Sequence, residues 1–167
     1  MPLTVMETER LRLRSRTVDD VEPIVAMDLD PLVRRYMGPP LDPEAHRAEV
    51  KRRILAGIGP WAVEWKDRPG ILGLCGLSEF DGLPFGQIGW RFTSASWGQG
   101  VGTEAARAVL DHSFAEMGID LVTTLVHPDN IASIRVAEKI GMKRDGFAEF
   151  RGVRQIFFSA DAGDRRC

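Results

Sequence analysis

A glycine-rich loop that opens a helix is the part of this sequence best suited to chemistry. Residues 97–105 read Trp-Gly-Gln-Gly-Val-Gly-Thr-Glu-Ala, with glycine at three alternate positions. A strand is predicted over residues 87–92, and an apolar-periodic helix follows the loop. Glycines leave backbone N–H groups accessible, and a helix N-terminus adds a positive dipole end. The pattern therefore predicts a site for a phosphate or pyrophosphate group.

Two familiar kinds of phosphate loop do not fit this pattern. A dinucleotide fingerprint needs a third glycine where this chain has Thr103. The fingerprint also needs an acidic ribose ligand at the end of the next strand, where this chain has His127. A P-loop needs a Lys-Ser or Lys-Thr pair after its last glycine, and no such pair follows Gly102. The loop belongs to another kind of nucleotide site.

Composition limits the classes of function that remain. The chain has 167 residues, enough for a single domain over residues 1–167 with its own core, and a net charge of −2. Such a balance gives no overall basic field for nucleic acid, and no apolar run is long enough to cross a membrane. Cys75 and Cys167 have no ligand-like spacing. We therefore expect a cytoplasmic protein with no nucleic acid partner, no membrane partner and no metal.

The elements that must position the loop are predicted from apolar patterning. Strands are expected over residues 10–16, 61–66, 71–77, 87–92, 121–126, 143–150 and 155–160, with a loop over 78–86. Helices are expected over 17–27, 42–56, from the glycine loop to about 117, and over 131–140. This order predicts an α+β protein with α/β-type layers, in which a mixed sheet carries the helices. The alternating arginines of the first strand are interpreted as blunting a sheet edge rather than as binding a polyanion.

A second motif names a family. Residues 126–142 read Val-His-Pro-Asp-Asn-Ile-Ala-Ser-Ile-Arg-Val-Ala-Glu-Lys-Ile-Gly-Met. Together with the glycine loop and the opening Glu-Arg-Leu-Arg-Leu-Arg of residues 9–14, this stretch resembles the GNAT superfamily of N-acetyltransferases. Within it, the chain is most similar to the RimJ- and RimL-like branch, which acetylates ribosomal-protein N-termini. The resemblance covers nearly the whole chain and implies a central mixed, splayed sheet of about seven strands flanked by about four helices.

The resemblance implies where acetyl-CoA binds. The sheet would splay between the strand over residues 87–92 and the strand over 121–126, with the cofactor in the opening. The backbone near Trp90, Arg91 and Phe92 would polarise the thioester carbonyl. The N–H groups that would bind the pyrophosphate, with those of Gly100 and Gly102 foremost, belong to Gly98, Gln99, Gly100, Val101, Gly102 and Thr103. The superfamily often has Gln or Arg where this chain has Trp97.

The helix after His127 carries two more candidates. Asn130 suits a helix N-cap, and the resemblance also implies a contact from its side chain to the pantetheine arm. Ser133 is either a small polar residue of the first helical turn or, as the branch implies, the group that hydrogen-bonds the CoA sulfur and stabilises or protonates the leaving thiolate. Many superfamily members use a tyrosine acid instead, at the position that is Ala137 here. The only tyrosine of this chain is Tyr36.

The general base and the acceptor groove are less defined. Glu79 is the carboxylate we choose as base, although a solvated loop acid is an equal interpretation, and His127 is a second candidate as a proton relay. In this family the loop that holds Tyr36, between the first two helices, covers the acceptor side; a plain surface role is the alternative. The remaining large aromatic residues are expected to build the core and one wall of the acceptor groove: Trp61, Trp65, Phe80 and Trp90.

The implied reaction is acetyl transfer from acetyl-CoA to a primary amine by direct attack in a ternary complex. An α-amine is roughly 10% neutral at pH 7, whereas a lysine amine is neutral to less than ~0.1%, so an N-terminal amine needs less help from a base. A protein or peptide N-terminus is therefore the preferred acceptor, and a small-molecule amine, including an antibiotic, is second. A CoA-binding regulatory module with little catalysis is the alternative from another class. A homodimer is common among such relatives.

Overall fold

A computed structural model describes residues 2–79 and 85–165 of the chain. The strands are β1 (Thr4–Glu7), β2 (Leu11–Arg14), β3 (Trp61–Trp65), β4 (Ile71–Glu79), β5 (Phe85–Phe92), β6 (Leu121–Val126), β7 (Lys143–Phe150) and β8 (Val153–Asp161). The helices are α1 (Val21–Leu29), α2 (Pro31–Arg34), α3 (Pro43–Leu55), α4 (Val101–Ala115) and α5 (Ile131–Lys139). The protein is α+β, as its sequence predicted.

The eight strands form one mixed sheet in the order β1-β2-β3-β4-β5-β6-β8-β7. Every neighbouring pair is antiparallel except β5 and β6, which are parallel and are connected through α4. Among the described residues, backbone pairing between β5 and β6 covers three positions, Phe85↔Leu121, Gly86↔Val122 and Gln87↔Thr123. The two strands then separate, so the sheet is splayed where the resemblance implied.

Helices cover both faces of the sheet. One face, which we call the α4 face, packs a cluster of strand residues such as Leu11, Val63 and Ile88 against α4 and α5. The opposite face, the α1 face, packs Ala62 and Leu74 against α1 and α3. The alternation of side chains along β2 to β6 divides these residues between the two faces.

The structure contains two four-residue elements, β1 and α2, that the sequence did not predict. The additional strand β1 pairs with β2, so β2 is not a sheet edge and the interpretation of its arginines as edge protection is wrong. Three of the four arginines pair with carboxylates instead: Arg10 with Glu104, Arg12 with Glu7 and Glu64, and Arg14 with Asp20 and Glu64. The additional helix α2 begins at Pro31, and the Asp30 side chain caps it by accepting the Leu32 N–H.

Other boundaries shift by a few residues. The capping box predicted at Thr17 is present, because the Thr17 N–H donates to Asp20 Oδ2 at 2.8 Å, but it opens a 3₁₀ turn that precedes α1. Strand β4 extends to Glu79 and strand β5 begins at Phe85, so both strands enter the segment predicted as a loop. Within the described residues, no helix is long and apolar enough to span a membrane.

Candidate active site

The glycine loop adopts the conformation that its sequence requires. Gly98 and Gly100 both have a φ of +77°, a region that residues with a side chain rarely adopt. Gly100 is the N-cap of α4 and offers no side chain to the helix, whose first amide bond runs from the Glu104 N–H to the Gly100 carbonyl. The N–H groups of Val101, Gly102 and Thr103 thus have no intrahelical acceptor. They lie at the positive end of a 15-residue helix.

Trp97 holds this loop against β5. Its indole N–H donates to the Phe92 carbonyl at 3.1 Å, and half of its side chain remains exposed. The donor that could reach a phosphate is therefore engaged with the backbone. This bond fixes where the glycine loop begins relative to the splayed strand.

The carboxylate of Glu104 anchors the start of α4 to the turn between β1 and β2. It accepts the Thr8 hydroxyl at 2.6 Å, the Arg10 N–H at 3.0 Å and the Arg10 Nε–H at 2.7 Å. Burial raises the pKa of Glu104, but the hydrogen bonds from Thr8 and Arg10 outweigh burial and lower the pKa overall. The Arg10 guanidinium balances this carboxylate beside Gly100, where a bound phosphate would add negative charge.

The splayed edge of β5 presents an unused amide. The Thr93 N–H donates to β4 at Leu72, whereas the Ile88 carbonyl faces β6 and accepts the Thr124 hydroxyl at 2.8 Å. Backbone groups alternate along a strand, so those of Trp90 and Phe92 also face the splay and those of Arg91 face β4. The β5–β6 pairing described above ends before Trp90. Among the described residues, the Trp90 N–H thus has no pairing partner on β6 and faces the splay.

The start of α5 lies on the other side of the splay. Asn130 Oδ1 accepts the Ser133 N–H at 3.2 Å, which confirms the predicted N-cap. The cap uses the oxygen of the amide group and leaves its NH2 available for the pantetheine arm. Ser133 takes part through its backbone, so its hydroxyl is available too. Ala137 is fully buried, and no tyrosine acid can act from that position.

The structure brings Tyr36 and His127 together. Their ring centroids lie 4.9 Å apart, so the loop after α2 contacts the end of β6. His127 Nδ1 accepts the Asp129 N–H at 3.1 Å, which places the proton of the neutral ring on Nε2. Gly38 of the same loop lies beside Arg151 of the β7–β8 turn. The loop with Tyr36 thus borders the far side of the splay.

The remaining predicted residues have different placements. The side chains of Trp61, Trp65 and Trp90 pack, partly buried, against the core of the α4 face. The Glu79 backbone pairs with Gly86, which lies four residues before Trp90 and roughly 13 Å from Trp90 along the strand. The Glu79 side chain lies outside the described part of the structure. The prediction that places Phe80 in the groove also falls outside that part. Cys75 is fully buried and burial raises the pKa of its thiol, so it supplies no thiolate nucleophile.

Sequence reasoning missed an opening on the α1 face of β5. A Cβ built on Gly89 would meet no atom within 4 Å, although Gly89 lies in mid-strand and next to Trp90. Arg91, two residues on and therefore on the same face, donates from Nε to Asp28 Oδ1 at 2.6 Å. His46 Nε2 lies 2.8 Å from the other oxygen of this buried carboxylate. A glycine in the middle of a predicted strand was the only sequence signal for such an opening.

Comparison with known proteins identifies the class. The family model described as "Acetyltransferase (GNAT) domain" matches residues 10–143, and the chain belongs to this family. Its relative YkkB of Bacillus subtilis (strain 168), named as an uncharacterized protein, is 35% identical over 146 residues, which are 83% of this chain and 85% of YkkB. The chain is therefore a GNAT-family acetyltransferase with the fold that its sequence implied.

Solved structures support the same fold. A GNAT-family acetyltransferase from Bacillus anthracis superposes with a TM-score of 0.85 at 25% identity and covers 98% of this chain and 99% of its own. Ribosomal-protein-S5-alanine acetyltransferase from Vibrio fischeri matches at 0.77 and 18% identity, covering 95% and 97%. Aminoglycoside acetyltransferase AAC(6')-Ib, solved with coenzyme A, matches at 0.77 and 19%, covering 93% and 98%. The family and its CoA-bound members imply acetyl-CoA as acetyl donor, while these neighbours act on different amines.

Proposed function

We propose that this protein transfers the acetyl group of acetyl-CoA to the α-amine of a protein or peptide N-terminus, by direct attack in a ternary complex. The observation that carries the proposal is the splay itself. The Trp90 N–H faces it with no partner from β6, and the open face above Gly89 adjoins the same peptide unit. A carbonyl polarised in the splay is thereby accessible to an amine.

The donor side would use backbone groups. The N–H groups of residues 98–103 bind the pyrophosphate, and the Asn130 amide contacts the pantetheine arm. The Trp90 N–H donates to the thioester oxygen as negative charge develops there, which is the step where an oriented donor contributes most, about 3–4 kcal/mol. The chain needs no covalent acetyl intermediate for this chemistry.

The proton transfers follow from the bonds that change. The amine nitrogen bonds to the carbonyl carbon and the C–S bond breaks. The Ser133 hydroxyl donates a hydrogen bond to the thiolate that leaves, and water supplies the proton that converts it to the CoA thiol. The proton lost by the amine passes to water or, through a chain of waters, to a carboxylate, for which Glu79 remains our candidate. Because the neutral His127 ring carries its proton on Nε2, it is better suited to donate a hydrogen bond to the amine substrate than to act as a base. An α-amine suits such weak base assistance.

A thiol-release assay over a panel of amines tests the proposal. Peptides with a free α-amine should release CoA, and mass spectrometry should locate the acetyl group on that amine. Inert peptides beside an acetylated polyamine or aminoglycoside would favour a small-molecule acceptor. Tight acetyl-CoA binding without turnover on any amine would favour a regulatory module. A cytoplasmic location, a homodimer and the absence of a nucleic acid partner remain predictions.

A further inference from the structure

The open face above Gly89 has a basic border. Directly across from Gly89 on β4 is Gly76, and a Cβ on Gly76 would lie 2.6 Å from Pro60 Cα, so Pro60 fills that side. The residue before it, Gly59, lies against the Arg16 guanidinium, which donates to the Ile58 carbonyl. Arg16 therefore borders the opening on the β4 side.

Three arginines gather at this border. Burial lowers the pKa of Arg16, and the positive charges of Arg53 and Arg91 lower it further, so each of these two guanidinium groups repels that of Arg16. Asp28 pairs with Arg91, and the more distant Asp20 acts weakly in the opposite direction on Arg16. Among the described residues, Arg16 has no carboxylate within salt-bridge distance. The border therefore carries excess positive charge next to the proposed acceptor channel.

The loop with Tyr36, at the far side of the splay, is basic as well. Among the residues that the structure describes, Arg34 donates only to the carbonyls of Met37 and Pro39, and its buried Nε finds no hydrogen-bond partner. Arg35 lies over the Tyr36 ring, 5.4 Å from its centroid. In the described part of the chain, neither has a salt bridge to a carboxylate. A polycationic acceptor would meet like charges at Arg16 and again at this loop.

We propose that the acceptor is an amine that also carries a carboxylate, and that Arg16, with Arg53 and Arg91, binds this anion while the amine occupies the opening above Gly89. This inference rests on the proposed function and narrows its substrate class. The two sources of such a group are the acidic side chain of a peptide's second residue and the carboxylate of a free amino acid. The bound anion relieves the repulsion that Arg53 and Arg91 exert on Arg16.

Matched peptides test the charge requirement. Three amidated peptides begin with Ser-Asp, Ser-Asn or Ser-Lys and are otherwise identical. A charge-assisted hydrogen bond that the neutral analogue lacks should make kcat/KM about tenfold higher for Asp than for Asn, with Lys lowest, and added salt should narrow the differences. Free aspartate and glutamate form a separate arm, in which preferential acetylation would assign the anion to small amino acids.

Variants locate the contact. Arg16→Gln should reduce the ratio of kcat/KM for the Ser-Asp peptide to that for the Ser-Asn peptide toward one. Arg53→Gln should reduce this ratio less, and it provides a second test if Arg16→Gln lowers stability. Arg52→Gln is the matched control, because Arg52 is exposed on α3 and pairs only with Glu49 among the described residues. It should keep the wild-type ratio. Equal rates for the three peptides, or a preference for Lys, would overturn the inference alone, whereas no turnover on any amine would overturn the proposed function with it.

Discussion

The two halves of the site are built from different parts of the chain. The cofactor half consists of the glycine loop, the start of α4, the splayed edge of β5 and the start of α5, and it offers mainly backbone N–H groups. The acceptor half is the opening above Gly89 on the α1 face, and side chains from α1, α3, β5 and the segment after β2 border it. The cofactor half can bind one invariant ligand through backbone geometry, while the acceptor half can vary its specificity by side chain.

The balance of charge separates the halves too. Glu104 and Arg10 neutralise each other beside the glycine loop. At the acceptor half, by contrast, only one of the three arginines forms a salt bridge within the described residues, namely Arg91 with Asp28. A helix N-terminus needs no additional cation to hold a phosphate, whereas a specificity pocket selects by unbalanced charge. Perturbing each half by itself therefore tests whether the two act separately.

The largest expected effect comes from filling the opening. Gly89→Leu should lower kcat/KM for the amine by on the order of 100-fold, because the side chain would occupy the space through which the amine approaches. The Kd for acetyl-CoA should stay at its wild-type value in calorimetry. Gly89→Ala provides the size control, since a single methyl group has room. A loss of acetyl-CoA affinity in Gly89→Leu would show that the halves are not separate.

Removing the Ser133 hydroxyl should affect the chemical step of the cofactor half. Ser133→Ala keeps the N–H that Asn130 caps and loses only the donor to the thiolate. A hydrogen bond to a charged group contributes about 2 kcal/mol, so kcat should fall roughly thirtyfold with little change in acetyl-CoA affinity. Pre-steady-state thiol release measures this step, and an unchanged rate would remove Ser133 from the mechanism.

Straining the glycine loop should weaken cofactor binding by a smaller factor. Gly98→Val places a β-branched residue at a φ of +77°, which costs about 1–2 kcal/mol, so the Kd for acetyl-CoA should rise about tenfold. Gly118→Val is matched, because Gly118 has a φ of +66° and equally open surroundings but lies after α4. Both variants should lose similar stability, and only Gly98→Val should lose affinity. Equal acetyl-CoA affinities of the two variants would contradict a role of the glycine loop in binding the cofactor.

The smallest expected effect concerns the anchor of α4. The folded protein holds the pKa of Glu104 below its unfolded value near 4.3, so this carboxylate stabilises the fold above that pH, and the contribution disappears as pH falls through the folded pKa. Glu104→Gln should lower Tm by about 3 °C at pH 7, equivalent to about 1 kcal/mol. The difference from wild type should vanish at low pH. A constant difference at every pH would point to packing instead.

The same division explains what the sequence could predict. The glycine loop and the Asn130 cap are local patterns in which residue type dictates backbone conformation, and both were predicted. The acceptor half depends on contacts between residues far apart in sequence, such as Arg91 with Asp28 and His46, for which no local pattern exists. Strand β1 was missed because its four residues gain their order by pairing with β2. Helix α2 was missed although its Asp-Pro start was the one used to predict α3.

Initial-velocity kinetics test the central claim most directly, because two separate halves must be filled together for direct attack. Acetyl-CoA and an α-amine peptide are varied against each other, and CoA release is followed. Double-reciprocal plots should intersect, as a ternary complex requires. Parallel lines would indicate a covalent acetyl-enzyme, and with it a nucleophile that contradicts direct transfer across the splay.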